Sequence, residues 1–406
     1  MINNFRFKKL TLLVFCLYLF WGFFGIDITI NNGGDRLPLH RVFILLTLFI
    51  FAFNIKEIVY CLITNKLLVG LILYILMSAV WSTNPSDTIK GFVFLFSSLV
   101  ISTMTALAFR DNQIKFVRGL FWLCFLMIIA SIIAAIKFPQ YGINVKDFAT
   151  VRWIGITDHP NKLGALALSS IWLSINLFYL STNKLEKIIS ITGIIAAIYA
   201  AFHADSMTGI IAGFIAIFYT LYEYVLGTKS PPVKIIFFTI TLLAGLVITT
   251  FYMNSSEITD QTLASSGRDA SLTGRTKLWE NGFNALSNHL IIGSGFDNLD
   301  GLTKKYHMRM AHLHNGYIEL LVKGGLIAGL LVFFILLNTF VKQRALKKHH
   351  SPNFVLLSTG FVSILIHNLA ESSLFKGFNS LSLLFIFILV STSVVYYELM
   401  NKKNHV

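Results

Sequence analysis

Long apolar runs broken by short polar stretches dominate the chain. Runs near 10–26, 39–53, 67–81, 89–109, 116–136, 163–181, 188–203, 208–227, 233–253, 314–341, 353–370 and 379–398 approach the length of a bilayer-crossing helix. The second and third are short. Together they predict an all-α, polytopic transmembrane bundle of about 12 spans. The organisation follows: residues 1–253 carry spans one to nine with an outer loop near 138–162, and residues 314–406 carry the last three. Between them, 254–313 is the longest polar stretch, read as one large structured loop. Within it Trp279, Phe283, Leu286 and Leu290 recur at helical spacing, so 275–288 predicts an amphipathic helix on the membrane surface.

Composition supports the membrane class. Of 406 residues 55% are hydrophobic and 13% charged, with a mean hydropathy of +0.71, whereas a soluble chain carries about a quarter charged residues. The net charge of +14 does not indicate nucleic acid, because the basic residues lie in short clusters between apolar runs. Arg6, Lys8 and Lys9 precede an apolar run with no small-residue cleavage site, which reads as a first membrane helix rather than a removed signal. Cys16, Cys61 and Cys124 sit in or beside apolar runs and suggest buried small hydrophobes, with no disulfide framework or zinc spacing.

Orientation follows from the cations. With both termini inside, the inner loops hold more than half of the 33 lysines and arginines, from Arg6, Lys8 and Lys9 to Lys402 and Lys403. The positive-inside rule favours this arrangement, which turns 138–162 and 254–313 outward.

Polar chemistry concentrates in those outer segments. Arg152 and the run Asp158-His159-Pro160-Asn161-Lys162-Leu163-Gly164 form one cluster. The second begins at Thr273-Gly274-Arg275, continues through Gly293-Ser294-Gly295 and closes with His312-Leu313-His314-Asn315-Gly316-Tyr317-Ile318-Glu319. Arg275 in a first helical turn opposes the helix dipole, so it either binds an anion beside the free N–H groups or snorkels to lipid headgroups. His314, at the outer end of a span, suits a general base, although two interfacial histidines bonded to backbone would also fit. With His307 nearby a metal site is conceivable, but no carboxylate or cysteine completes a ligand set, so no metal is expected. Gly293 and Gly295 predict a tight turn, and Gly324 with Gly325 close helix packing. Glu371 at an outer helix end is either part of a site or the partner of Lys376.

Taken in order, Gly274-Arg275 with Trp279, Gly293-x-Gly295, and His314-Asn315-Gly316-Tyr317 running into Gly324-Gly325-Leu326 resemble the O-antigen ligase and polymerase superfamily. That superfamily includes exopolysaccharide polymerisation proteins. Asp158 to Gly164 resembles a second signature of the family and Ser206-x-Thr208-Gly209 a third; residues 150–335 carry the likeness, with Glu371-Ser372 a weaker echo. One departure is Met207, which stands where a basic residue is frequent in the family and cannot make an anion contact.

The resemblance implies a GT-C-like glycosyltransferase that uses neither metal nor cofactor. It implies transfer of a glycan from an undecaprenyl-pyrophosphate donor to an acceptor sugar hydroxyl at the periplasmic face of the bacterial inner membrane, with inversion. It assigns His314 as the base and Arg275 and Arg152 as the cations on the pyrophosphate. His312, Asn315, Tyr317, Asn161, Lys162 and Glu371 are the expected substrate-binding residues. The His312-to-Tyr317 stretch leans towards polymerases. The alternative is a ligase joining the glycan to lipid A-core. From another class, a polysaccharide-lipid transporter or flippase would place ionisable residues at mid-membrane, where these runs are sparing of charge.

Overall fold

The computed structural model describes residues 8–24, 39–110, 112–144, 151–227, 273–296 and 312–403, with isolated positions between 230 and 239. The expected ninth span, His307 and residues 254–272 and 297–311 of the outer loop lie almost wholly outside the described residues.

The described chain is almost entirely helical. Its helices are α1 (Lys8–Phe23), α2 (Leu39–Phe53), α3 (Ile55–Thr64), α4 (Lys66–Met77), α5 (Pro85–Phe109), α6 (Gln113–Lys137) and the single turn α7 (Pro139–Gly142). After a two-residue antiparallel ribbon, β1 (Ile143–Asn144) with β2 (Arg152–Trp153), come α8 (Pro160–Leu180), α9 (Lys184–His203) and α10 (Met207–Leu221). The last four are α11 (Thr273–Ser287), α12 (Gly316–Lys348), α13 (Phe354–His367) and α14 (Ser380–Lys403). Polar residues at the breaks explain where they start. Asn84, Asn112, His159, Asn183 and Asn315 each accept a backbone N–H at a helix N-terminus, and Pro85 and Pro160 occupy first-turn positions.

Seven of the described helices are long and apolar enough to cross a membrane: α5, α6, α8, α9, α10 with the π turn that extends it, α12 and α14. The run expected at 39–53 is the first limb of a pair, α2 and α3, bent by 95°. Buried Asn54 lies at the bend and donates to the Ile50 carbonyl, and the polar Asn54-Ile55-Lys56-Glu57 break ends the apolar stretch. At the third and eleventh expected spans the helices are short, Lys66–Val80 and Phe354–His367. The chain is therefore a multi-helix membrane bundle with fewer full-length crossings among its described residues than the twelve expected.

α8 and α14 are the most enclosed helices. α8 packs against α6, α9 and α10, and α14 against α5, α12 and α13. Small residues permit the close crossings: the Trp172 ring lies where a Gly360 side chain would project, and its Nε1 donates to the Leu356 carbonyl at 2.9 Å. All three cysteines are free, and Cys61 and Cys124 are buried.

The two expected glycine features are one feature. α12 breaks at Gly325, which adopts φ 63° and ψ −166°. A helix broken inside an apolar run strands backbone groups that lipid cannot satisfy. The turn around Gly293 fills the gap. Leu326 and Ile327 donate to the Leu290 and Ile291 carbonyls at 2.9 and 3.2 Å, while Ser294 and Gly295 donate to those of Val322 and Lys323, both at 3.0 Å. Tyr74 adds its hydroxyl to the Ile292 and Gly324 carbonyls. A β-carbon on Gly325 would strike Ile291 and Gly293 backbone, and one on Gly293 would strike residues 323–325. Gly325→Ala should therefore destabilise the fold by roughly 1–3 kcal/mol from the backbone alone, read as a lower thermal midpoint in detergent. An unchanged midpoint would contradict this crossing.

Candidate active site

Two glycine contacts bring four helix ends together. Gly209 in α10 lies against the backbone of Gly164 in α8, and a side chain on Gly164 would meet Ser206. This holds the Asp158–Gly164 segment against the α9–α10 turn. Gly316 at the start of α12 leaves no room for a β-carbon beside Asn368, and its N–H donates to the carbonyls of Asn368 and Glu371. That places His314 beside the segment following α13.

Glu371 is the centre of the cluster. Its Oε1 accepts from Asn161 Nδ2 at 2.5 Å and lies 3.5 Å from Arg275 Nη2, and its Oε2 lies 3.3 Å from His314 Nδ1. Arg275 also donates to the Ala370 carbonyl at 3.0 Å. Asn161 passes the network on, because its Oδ1 accepts from Arg152 Nη2 at 3.2 Å. Arg152 further holds the α9–α10 turn through the Ala204 and Asp205 carbonyls, at 3.0 and 2.8 Å. Asp205 itself has φ 48°. Behind this turn His203 stacks on Trp153, with ring centroids 4.1 Å apart.

Arg152, Asn161, Arg275, His314 and Glu371, five of the nine residues singled out from sequence, thus form one chain of contacts. The other four face different partners. Lys162 pairs with Asp158 at 2.6 Å, and His312 Nδ1 meets Lys376 Nζ at 2.9 Å. Lys376 is therefore engaged with a histidine, while Glu371 serves the cluster. Asn315 caps α12 through the N–H groups of Tyr317 and Ile318, and Tyr317 donates its hydroxyl to the Leu365 carbonyl.

The electrostatics suit proton transfer. Burial works against ionisation of Glu371, but the hydrogen bond and charge of His314, with His367 and Arg275, outweigh it and hold the carboxyl below its ordinary value. A depressed carboxyl contributes stability that is present above the unfolded value and lost as pH falls through the folded one. His312 is pushed down to about 4 by burial, with the Lys376 charge adding to it, so it is neutral at pH 7. When His314 donates Nδ1–H to Glu371, its Nε2 keeps a lone pair for a substrate hydroxyl. Among the described residues no three His, Cys, Asp or Glu side chains gather as metal ligands.

Residues 192–334 match the family described as O-antigen ligase. The exopolysaccharide production protein ExoQ of Rhizobium meliloti (strain 1021) is 24% identical over 293 residues, 68% of this chain and 65% of that protein. Both likenesses point to the O-antigen ligase and polymerase superfamily. The matched segment runs from α9 into α12 and so contains Arg275 and His314, while Arg152, Asn161 and Glu371 join them through the fold. The match to ExoQ covers just under two thirds of that relative's length.

Several participants were not legible in the sequence. The carbonyls of Ala204, Asp205 and Ala370 have no side-chain signature. Trp279 was noted for its spacing, yet its indole donates to the Leu313 carbonyl at 3.0 Å. Of the apolar face predicted for α11, Leu286 is buried and Trp279 half-buried, but Phe283 is exposed. Ala285 joins Leu286 in the cluster with Leu313, Ile318 and Val322, and Leu278 is also buried. Glu319 and Lys323 form a buried ion pair at 2.7 Å in the first turns of α12, which the expectation of uncharged spans overlooked. Their i,i+4 spacing was the available signal.

Proposed function

We propose that the chain is a metal-independent membrane glycosyltransferase moving a glycan from an undecaprenyl-pyrophosphate carrier to the hydroxyl of an acceptor sugar. The observation that carries this reading is the convergence of His314, Glu371 and Arg275 at one end of the bundle. In the proposed step His314 Nε2 takes the proton of the acceptor hydroxyl. The acceptor oxygen bonds to the anomeric carbon as the bond from that carbon to the phosphate oxygen breaks. The electron pair leaves with the pyrophosphate, whose charge Arg275 stabilises. A single displacement inverts the anomeric configuration. Arg152 is already bonded to three oxygens, so its part is to hold Asn161 and the 204–205 turn, with its charge acting over distance on the same leaving group.

The site faces the periplasm on this reading. The ion pairs Arg110–Glu398, Arg118–Glu186 and Lys347–Glu223 lie at the opposite helix ends, and the positive-inside rule assigns that end to the cytoplasm. Similarity to a protein named for exopolysaccharide production favours polymer formation over ligation.

The test is a deletion strain complemented with wild-type or His314→Ala protein, with its surface and secreted glycans resolved by size. Loss of long polymer, restored only by wild type, is the expected result. Long chains stranded on the lipid carrier with none on lipid A-core would make the protein a ligase. Unchanged glycans would overturn the transferase reading in favour of transport.

A further inference from the structure

His314 has φ 49°, a left-handed backbone that strains a residue with a β-carbon and persists only where its surroundings over-determine it. The residues flanking it are held on three sides. The Leu313 carbonyl accepts from Trp279 Nε1 at 3.0 Å, and the Asn315 N–H donates to Ser372 Oγ at 3.1 Å. The Leu313 N–H donates to Glu319 Oε2 at 3.3 Å. The other oxygen, Oε1, meets Lys323 Nζ at 2.7 Å, and Lys323 in turn lies over the Phe296 ring at 5.3 Å.

Stability does not explain this ion pair. Glu319 and Lys323 are 4% and 3% exposed, and a buried pair of this kind is often no better for the fold than apolar residues of the same volume. What an apolar pair cannot supply is an acceptor for the Leu313 N–H. We propose that Glu319, charge-balanced by Lys323, is a positioning residue that fixes the left-handed turn at His314 and so aims its imidazole at Glu371. The inference rests on the reading of His314 as the base.

The experiment uses the full-length protein in nanodiscs with a lipid-linked glycan donor and measures kcat and KM separately for four variants. Glu319→Gln with Lys323→Met removes both charges but keeps an oxygen for the Leu313 N–H, and kcat should stay close to wild type. Glu319→Leu with Lys323→Leu keeps the buried volume but removes the acceptor. Its kcat should fall about a hundredfold, the scale set by misplacing a reacting group by roughly 1 Å, with donor KM and thermal midpoint unchanged. Should that variant fail to fold, Ser372→Ala removes the acceptor on the other flank, and a clear loss in kcat at constant KM is expected. Wild-type kcat in the Leu/Leu or Ser372→Ala protein beside an inactive His314→Ala overturns the positioning role alone, as does equal loss in the two double variants. An active His314→Ala overturns the base assignment and this inference with it.

Discussion

Replacing His314 by alanine should lower transfer by about a thousandfold or more, within the range a positioned general base supplies, while binding of the lipid-linked donor remains measurable. On the proposed reading the donor is held by cations and by lipid, so loss of the imidazole should leave its affinity largely intact while removing the base for the acceptor hydroxyl. Glu371→Gln should fall between wild type and His314→Ala. It keeps the shape and a contact to Asn161, but it removes the negative charge that holds His314 in place and steadies the imidazolium formed in the reaction. Equal loss of donor binding and turnover in His314→Ala would instead make that residue a donor contact. Both variants are read by titrating labelled donor and by single-turnover transfer on the same preparation.

Arg275→Ala should cost roughly a hundredfold to a thousandfold in turnover, comparable to removing one preorganised donor from a site of developing negative charge. Lysine at this position should recover only part of the loss. The forked guanidinium bonds the Ala370 carbonyl through Nη1 and faces Glu371 through Nη2, and an ammonium has a single nitrogen in place of that fixed planar fork. Full rescue by lysine would reduce the role to net charge. Membrane insertion of both variants, measured by yield after extraction, should match wild type. Arg275 sits in α11, whose buried contacts come from Leu278, Ala285 and Leu286.

The fold was legible wherever hydropathy alone decides, and the site wherever residue type and order decide. The apolar runs at 89–109, 116–136, 163–181 and 188–203 are α5, α6, α8 and α9 to within a few residues, because a long uncharged stretch in lipid has few ways to satisfy its backbone except as a helix. The runs at 39–53 and 314–341 are α2 and α12, but their breaks did not show because a hydropathy window averages across them. Asn54 turns the chain sharply within three residues of Phe51, and Gly325 interrupts α12 in the middle of an apolar stretch. Among site residues Arg275 and His314 stood out by motif, but the role of Glu371 did not. Its partners Asn161, Arg275 and His314 come from three distant segments, and nothing local to Asn368–Lys376 distinguishes a central carboxylate from a surface ion pair. The buried Glu319–Lys323 pair was passed over because two opposite charges one turn apart resemble an exposed helix face.

The break at Gly325 also sets the height of the chemistry. Leu326–Lys348 is about 23 residues, or roughly 34 Å of helix, which crosses a hydrocarbon core without help from the turns before it. Gly316–Gly324 is then a plinth not needed for the crossing, with the turn at 290–295 as its footing. Charges such as Glu319 and Lys323 are buried there within protein and do not face acyl chains. On the proposed reading, His314 at the outer end of that segment would meet the pyrophosphate of a membrane-anchored carrier at headgroup level, without the carrier leaving the bilayer.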